Sequence, residues 1–251
     1  TILALAGSAR RGSFNHALVS AAAVGARNEG AAVTLLDMND YPLPLFNQDV
    51  ESAEGLPDNA RRLKRLFVEH DGLLISSPEY NGGITPLLKN TIDWVSRKEG
   101  DEPALVAYRG KLAVVMAASP GALGGIRALP QVATILSGIG VTVLPNRLAL
   151  GKADEVFAAD GSVKDEKQRK TIEALGAALA KMLAALTDAQ GRLAIPDLWK
   201  DVRKPNAVEA KSYASLRYTE SEFRKQAEVL PGVDLVGGPS SPLLKMWREP
   251  S

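Results

Sequence analysis

The chain alternates between short apolar runs and longer stretches in which apolar residues recur every three to four positions. The first run, Ile2–Ala6, is continuous and apolar, which is typical of a strand covered on both faces. In the next stretch, Ala17, Leu18, Ala21 and Val24 fall on one face of a helix. The predicted strands are 2–6, 32–36, 72–76, 111–118 and 141–144, and the predicted helices begin near residue 13 and cover 57–69, 86–97, 126–137 and 164–186. This alternation predicts an α/β domain with a parallel sheet and helices on both faces.

The pattern changes after Thr187. Residues 188–251 show no further strand–helix cycle, and they hold scattered prolines and large aromatic residues. One helix is predicted over 219–230, because Thr219 followed by Glu222 has the spacing of a capping box. The aromatic content favours an ordered arm that packs on the domain or on a partner subunit, with a disordered tail as the alternative. The sequence therefore predicts a domain over 1–187 and a carboxyl-terminal extension over 188–251.

Composition and charge argue against several classes of function. The net charge is +1 and the pI is near 7.8, whereas nucleic-acid-binding surfaces usually need a basic excess. The chain has no cysteine and only two histidines, His16 and His70, so we predict no metal site. No apolar run is long enough to cross a bilayer, and the apolar start leads directly into a glycine loop, as a strand does and a signal peptide does not. We expect a cytoplasmic protein without nucleic-acid or membrane partners.

The loop after the first strand, Gly-Ser-Ala-Arg-Arg-Gly-Ser-Phe-Asn over residues 7–15, has the chemistry of a phosphate site. Ser8, Arg10, Ser13 and Asn15 offer polar side chains beside the free N–H groups at the start of a helix. The spacing is neither the Gly-x-Gly-x-x-Gly of dinucleotide folds nor a Walker loop, so the pattern favours a mononucleotide phosphate. The alternative is a capped strand–helix turn without a ligand.

The loop after the third strand, Ser-Pro-Glu-Tyr-Asn-Gly-Gly over residues 77–83, has the chemistry of a rim for a flat heteroaromatic ring. A flavin ring needs donors and acceptors at its pyrimidine edge, and the backbone N–H groups of 79–82 with the Asn81 side chain can supply them. The segment Ser-Pro-Gly over 119–121 follows the next strand and would border the same slot, because parallel strands end at one edge of a sheet. By itself the 77–83 segment also fits a tight turn.

Together these segments resemble the NAD(P)H-dependent FMN reductase family, a flavodoxin-like group that includes quinone, chromate and azo reductases. The residues that carry the resemblance are 7–15, Pro-Glu-Tyr-Asn over 78–81, Leu-Lys-Asn-Thr-Ile-Asp-Trp over 88–94 and Gly-Ala-Leu-Gly-Gly over 121–125. The resemblance spans about residues 2–186. It implies a flavodoxin-like three-layer sandwich around a five-stranded parallel sheet of order 2-1-3-4-5. The irregular extension after Thr187 departs from the family pattern, in which it has no counterpart.

The same resemblance implies noncovalently bound FMN and names the residues that would hold it. The phosphate would lie against the first loop and the ring against the second, with the third loop nearby. The implied cofactor-binding residues are Ser8, Arg10, Ser13, Phe14, Asn15 and His16 at the phosphate, Pro78, Glu79, Tyr80, Asn81 and Gly82 at the ring, and Ser119 and Gly121 beside it. No protein residue is implied as a catalytic acid or base, because the flavin carries the chemistry.

The implied function is an NAD(P)H-dependent oxidoreductase. Flavin N5 would take hydride from NAD(P)H and pass it, in ping-pong order, to a quinone, flavin, azo compound or metal oxyanion. Family members are homodimers or dimers of dimers, with the helix after the second loop at the interface. Two alternatives stay open: a flavodoxin-type electron carrier, although carriers are typically strongly acidic, and an interaction module whose aromatic arm recruits a partner.

Overall fold

Strands and helices alternate along the chain, as the sequence pattern predicts. The computed structural model describes residues 1–186, 206–215, 221–222 and 225. The strands are β1 (Ile2–Ala6), β2 (Val33–Leu35), β3 (Gly72–Ser76), β4 (Leu112–Ala118), β5 (Thr142–Val143) and β6 (Leu148–Leu150). The helices are α1 (Phe14–Asn28), α2 (Gln48–Glu54), α3 (Asp58–Glu69), α4 (Pro86–Val95), α5 (Ala128–Gly138), α6 (Ala153–Val156), α7 (Glu166–Leu186) and α8 (Ala207–Ser215), with a 3₁₀ turn at Met38–Asp40. The sequence pattern does not predict α2, α6, α8 or β6.

The strands form one parallel sheet of order β2-β1-β3-β4-β5. β1 lies between β2 and β3, with Ile2 opposite Val33 on one side and opposite Gly72 on the other. This is the doubly wound order of flavodoxin-like folds, and it confirms the predicted topology. Among the described helices, none combines the length and apolar character that a membrane span requires.

The edge of the sheet next to β4 is built from two short strands rather than one. β5 pairs with the start of β4, where Leu112 lies opposite Thr142, and β6 pairs with its end, where Met116 lies opposite Leu148. Pro145 lies between the two strands and has no N–H to donate, so the fifth strand cannot continue through it. The second short strand, β6, therefore lies beside the carboxyl end of β4.

Both faces of the sheet are buried. In β1, Ile2, Ala4 and Ala6 join a core with residues of α1 and α7, whereas Leu3 and Leu5 join a core with residues of α3, α4 and α5. This two-sided burial explains why the run is continuously apolar rather than alternating. The resulting helix–sheet–helix arrangement confirms the three-layer prediction.

α1 and α7 approach closely at two facing glycines. A Cβ on Gly25 would lie 1.9 Å from the Glu173 carbonyl oxygen, and a Cβ on Gly176 would lie 1.9 Å from the Ala22 carbonyl oxygen. The backbones therefore touch at a distance that no larger residue permits. The crossing also sets which face of α1 is buried, so that Val24, which the periodicity places on the apolar face, is 41% exposed.

The proline-rich connector after β2, residues 41–46, lies over α4. The Pro44 carbonyl oxygen accepts hydrogen bonds from Asn90 Nδ2 at 2.9 Å and Trp94 Nε1 at 2.8 Å. Phe46 packs edge-on against Trp94 with ring centroids 5.0 Å apart, and its N–H donates to Asn90 Oδ1 at 2.7 Å. The polar and aromatic residues of the 88–94 segment thus hold the connector in place.

The chain divides into two compact units, Thr1–Leu183 and Ala184–Ser251. In the second unit, Asn206 caps α8: its Oδ1 accepts from the N–H of Glu209 at 2.9 Å, and its own N–H donates to Glu209 Oε2 at 2.9 Å. This reciprocal pair is a capping box that the sequence analysis did not use. Residues 221, 222 and 225 are helical, and the rest of the predicted 219–230 helix lies outside the described residues. The boundary at 187 and the packing of the arm stay predictions.

The glycine crossing can be tested by adding a single methyl group. Gly25→Ala should lower the free energy of unfolding by about 1–3 kcal/mol or more, because the new Cβ meets backbone that cannot move without separating two helices. Gly138→Ala is the matched control, since a Cβ there meets no atom within 4 Å and alanine favours a helix. Urea denaturation of both variants gives the comparison. Equal stabilities would show that α1 and α7 separate there without cost.

Candidate functional site

The carboxyl ends of β1, β3 and β4 lie side by side, and the loops that follow them enclose one cavity of about 320 Å³. The cavity is lined by Ser8, Arg10, Ser13, Phe14, Asn15, Pro78, Glu79, Tyr80, Ala118, Ser119 and Pro120. Most of the sequence-predicted site residues therefore meet at one place. Of the described residues, His16, Asn81, Gly82 and Gly121 belong to the predicted set but not to this lining.

The start of α1 carries unused backbone donors. Ser13 is the N-cap, and its Oγ accepts a hydrogen bond from the His16 N–H at 3.4 Å. The N–H groups of Phe14 and Asn15 find no acceptor within the part of the chain that the structure describes, as the first turn of a helix requires unless something else binds there. This turn is a place for an anion, because its donors and its dipole favour negative charge.

Arg10 is held over the aromatic ring that begins α1. Its guanidinium carbon lies 5.5 Å from the centroid of the Phe14 ring, and Phe14 stacks on Phe157 with centroids 6.2 Å apart. One guanidinium nitrogen donates to the Arg11 carbonyl oxygen at 3.3 Å. Because a guanidinium has five N–H donors, this arrangement orients the cation and leaves donors for a ligand.

The Asn15 side chain is a structural tie inside the sheet edge. It is 3% exposed. Its Nδ2 donates to the Ala118 carbonyl oxygen at 2.8 Å, and its Oδ1 accepts from Ser76 Oγ at 2.8 Å and from the Ala118 N–H at 3.0 Å. The carboxamide that the sequence analysis offers to a phosphate is therefore bonded to β3 and β4, which leaves the backbone N–H of Asn15 for a ligand.

The base of the first loop is fixed by two further bonds. The Gly7 N–H donates to the Ser76 carbonyl oxygen at 2.8 Å, and Thr85 Oγ1 donates to the Gly7 carbonyl oxygen at 2.7 Å. A Cβ on Gly7 would lie 2.9 Å from Leu88 Cβ. Glycine is therefore required at position 7 by packing on α4.

A second cavity, of about 390 Å³, adjoins the same loop. It shares Ser8, Arg10, Ser13 and Phe14 with the first cavity. It adds Arg11, Gly12, His16, Ala17, Ser20, Asp37, Asn39 and residues 157–161. Hydrogen bonds from the Asn39 N–H and side chain lower the pKa of the Asp37 carboxyl group, so this carboxylate is ionised and held by its neighbour. His16 belongs to this second cavity rather than to the one between the three loops.

The second loop is a two-residue hairpin turn. Tyr80 and Gly83 exchange backbone hydrogen bonds, each 3.0 Å long. Between them, Asn81 and Gly82 have φ values of 53° and 80°, the left-handed pair that a type I′ turn requires. Asn81 thus forms the turn, and Tyr80 stands half exposed at the rim of the cavity.

The first residues of α5 hold this hairpin, which the sequence analysis did not foresee. Glu79 Oε2 accepts from the Arg127 N–H at 3.0 Å, and Oε1 accepts from Arg127 Nε at 2.5 Å. Gln131 Nε2 donates to the Gly82 carbonyl oxygen at 2.7 Å. The hydrogen bonds and charge of Arg127 lower the pKa of the Glu79 carboxyl group. The available sequence signal was an Arg-x-x-x-Gln pair, one helical turn apart, directly after the third glycine loop.

The third loop is supported by the segment after β6. The Ser119 N–H donates to the Leu150 carbonyl oxygen at 3.1 Å, and the Ser119 carbonyl oxygen accepts from the Ala153 N–H at 3.0 Å. A Cβ on Gly124 would lie 2.6 Å from the Gly151 nitrogen, and Gly124 has a φ of 60°. Gly124 is therefore required where two backbones meet, and contacts outside the cavity hold the third loop.

Comparison with known proteins gives a consistent family. The NADPH-dependent FMN reductase family matches residues 1–155. An NAD(P)H-dependent FMN reductase of Pseudomonas aeruginosa is 34% identical over 173 residues, which cover 68% of this chain and 89% of the relative. A 2-hydroxy-1,4-benzoquinone reductase of Burkholderia is 32% identical and covers 68% of this chain and 90% of the relative.

Among solved structures, FerB from Paracoccus denitrificans, a flavoenzyme NAD(P)H:(acceptor) oxidoreductase, superposes with a TM-score of 0.61. The two sequences are 31% identical, and the aligned part covers 72% of this chain and 94% of FerB. The family match covers more than half of the chain and includes the first two loops and the third. The predicted family and enzyme class are therefore confirmed: the chain belongs to the NADPH-dependent FMN reductase family of oxidoreductases.

Proposed function

We propose that this protein is an NAD(P)H-dependent, FMN-containing oxidoreductase that reduces small molecules of the quinone class. One observation carries the proposal: an anion-binding helix start and a ring-sized slot share a single cavity at the carboxyl edge of the sheet. The quinone reductase relatives from Burkholderia and Pseudomonas putida support quinones as the acceptor. Free flavin, azo compounds and metal oxyanions are further acceptors to test.

At the phosphate end, we propose that Ser8, Arg10 and Ser13 bind FMN with their side chains, and Phe14 and Asn15 with their N–H groups. The two free N–H groups and the Arg10 guanidinium are the donors that a dianion prefers. The His16 N–H already faces Ser13 Oγ, so it contributes less than the sequence analysis expects. The donor set fits a phosphate monoester.

At the ring end, we propose that Pro78, Glu79, Tyr80 and Ser119 border the flavin, with Asn81, Gly82 and Gly121 supporting the loops. The Glu79 N–H has no acceptor among the described residues, so it can donate to the pyrimidine edge. Bound FMN would supply hydride transfer between NAD(P)H and the acceptor.

The protein's own groups bind and orient rather than move protons. Glu79 is the carboxyl group of this cavity, and its lowered pKa keeps it ionised at neutral pH. An ionised carboxylate bonded to Arg127 is a poor proton donor. This supports a mechanism in which no protein acid or base takes part.

Turnover distinguishes an enzyme from an electron carrier. We expect FMN-loaded protein to oxidise NAD(P)H steadily with a benzoquinone acceptor, measured by the loss of absorbance of the reduced nicotinamide. The net charge of +1 favours this outcome, because carriers use strong charge to dock on partners. Bound FMN without turnover would favour the carrier, and protein that fails to take up FMN would contradict the whole proposal.

The proposed phosphate site predicts different effects for alanine substitutions at Ser13 and Asn15. Ser13→Ala should weaken FMN binding roughly tenfold, since one charge-assisted hydrogen bond is lost. Asn15→Ala should instead lower the free energy of unfolding by about 1–3 kcal/mol, because it leaves buried groups on Ser76 and Ala118 unpaired. Fluorescence titration of FMN and urea denaturation measure the two effects. Unchanged FMN affinity in Ser13→Ala would show that the phosphate lies elsewhere.

We also propose that the protein acts in the cytoplasm as a homodimer or a dimer of dimers. Leu45, on the connector that covers α4, is 80% exposed, which supports an interface near that helix. Light scattering should give twice or four times the monomer mass, and Leu45→Glu should reduce it. A monomer at micromolar concentration would contradict this assembly.

A further inference from the structure

Two residues at the start of α5 form hydrogen bonds with the hairpin of the second loop. Arg127 binds the Glu79 carboxylate before the turn, and Gln131 binds the Gly82 carbonyl oxygen within it. The two side chains lie one helical turn apart and therefore share a face of α5. Gln131 Nε2 also donates to the Arg127 carbonyl oxygen at 3.2 Å, so the two residues that hold the hairpin are bonded to each other.

Because the Glu79 side chain is buried, its carboxylate needs hydrogen-bond partners within the protein. The Glu79 side chain is 7% exposed, while that of Arg127 is 63% exposed. A carboxylate with so little access to water is costly unless it is paired and hydrogen-bonded. Arg127 satisfies both oxygens, one through its backbone N–H and one through its guanidinium.

The same carboxylate completes the start of α5. Arg127 is the N-cap of this helix, and no side chain of its own segment caps it. Glu79, from a different loop, takes that place and puts a negative charge at the helix N-terminus, where the dipole favours it. Gly125, just before Arg127, is required by packing on β4, since it has a φ of 86° and a Cβ there would lie 2.8 Å from Ala117 Cβ.

We infer that Arg127 and Gln131 are positioning residues for flavin reduction: they fix the hairpin that borders the ring, and Arg127 neutralises the Glu79 carboxylate beside it. The inference rests on the proposed function, in which Pro78 to Tyr80 border FMN. Reduction adds negative charge to the ring. An unpaired carboxylate at its border would oppose that charge, and an unpaired guanidinium would favour it.

Removing the charge of Arg127 and removing the charge of Glu79 should therefore shift the midpoint potential of the flavin in opposite directions. In FMN-loaded protein, Arg127→Gln should lower the midpoint potential of the flavin, and Glu79→Gln should raise it. Arg127→Lys should restore part of the potential, because it keeps the charge, but not the full affinity, because it loses the paired N–H geometry. Gln131→Ala should weaken FMN binding severalfold with little change in potential, since no charge is removed.

A remote ion pair provides the matched control. Arg97 Nε donates to Glu51 Oε1 at 2.6 Å, and the Glu51 side chain is 14% exposed. Arg97→Gln and Glu51→Gln remove comparable charges from residues outside the cavity lining. These variants should leave the midpoint potential and FMN affinity unchanged, whatever they do to stability.

The experiment measures the FMN dissociation constant by fluorescence and the midpoint potential by dye-coupled reduction. Opposite shifts in Arg127→Gln and Glu79→Gln, absent from the controls, would support the inference. Potentials that match wild type, or shifts of the same sign in both variants, would overturn it. Wild-type protein that does not bind FMN would contradict the proposed function itself, a result that the same titration makes visible. If Arg127→Gln fails to fold, Glu79→Gln with Gln131→Ala still decides.

Discussion

The site depends on one buried carboxamide. Asn15 reaches from the start of α1 to the ends of two other strands, and its bonds to Ser76 and Ala118 fix where three loops begin. Parallel strands bring their carboxyl ends to one edge of a sheet, but they do not set the spacing of the loops that follow. A buried hydrogen-bond network can set it, because each bond is directional and its loss inside the protein is costly.

Further ties extend outward from this centre. Thr85 joins the first loop to α4, the Glu79–Arg127 pair joins the second loop to α5, and Ser119 joins the third loop to the chain around β6. Each tie links a loop to an element that the cores on either face of the sheet already hold. The loops at the edge are therefore held in place by elements that the two cores stabilise, and a binding site requires such fixed positions.

The sequence was sufficient for the features with strong local signals. Continuous apolar runs predicted the central strands, because two-sided burial leaves no alternation. The polar loops predicted which residues meet at one edge of the sheet, because they follow directly after those strands. It was insufficient where partners are distant in the chain. Asn15 looked like a phosphate ligand because its bonds to residues 61 and 103 positions away leave no local trace. Val24 looked buried because the close approach at Gly25 and Gly176 depends on a helix far along the chain.

The same edge leaves hydrogen-bond donors in the cavity that suit an electron-rich ligand. Carbonyl oxygens of Gly7, Gly82, Ala118 and Ser119 accept bonds from within the protein. In the cavity lining, the N–H groups of Phe14, Asn15 and Glu79 do not have acceptors among the described residues. These N–H groups and the Arg10 guanidinium give the cavity donors for a negatively charged ligand. Such a cavity favours a phosphate and a ring that gains negative charge on reduction, so a nearly neutral chain can bind an anionic cofactor.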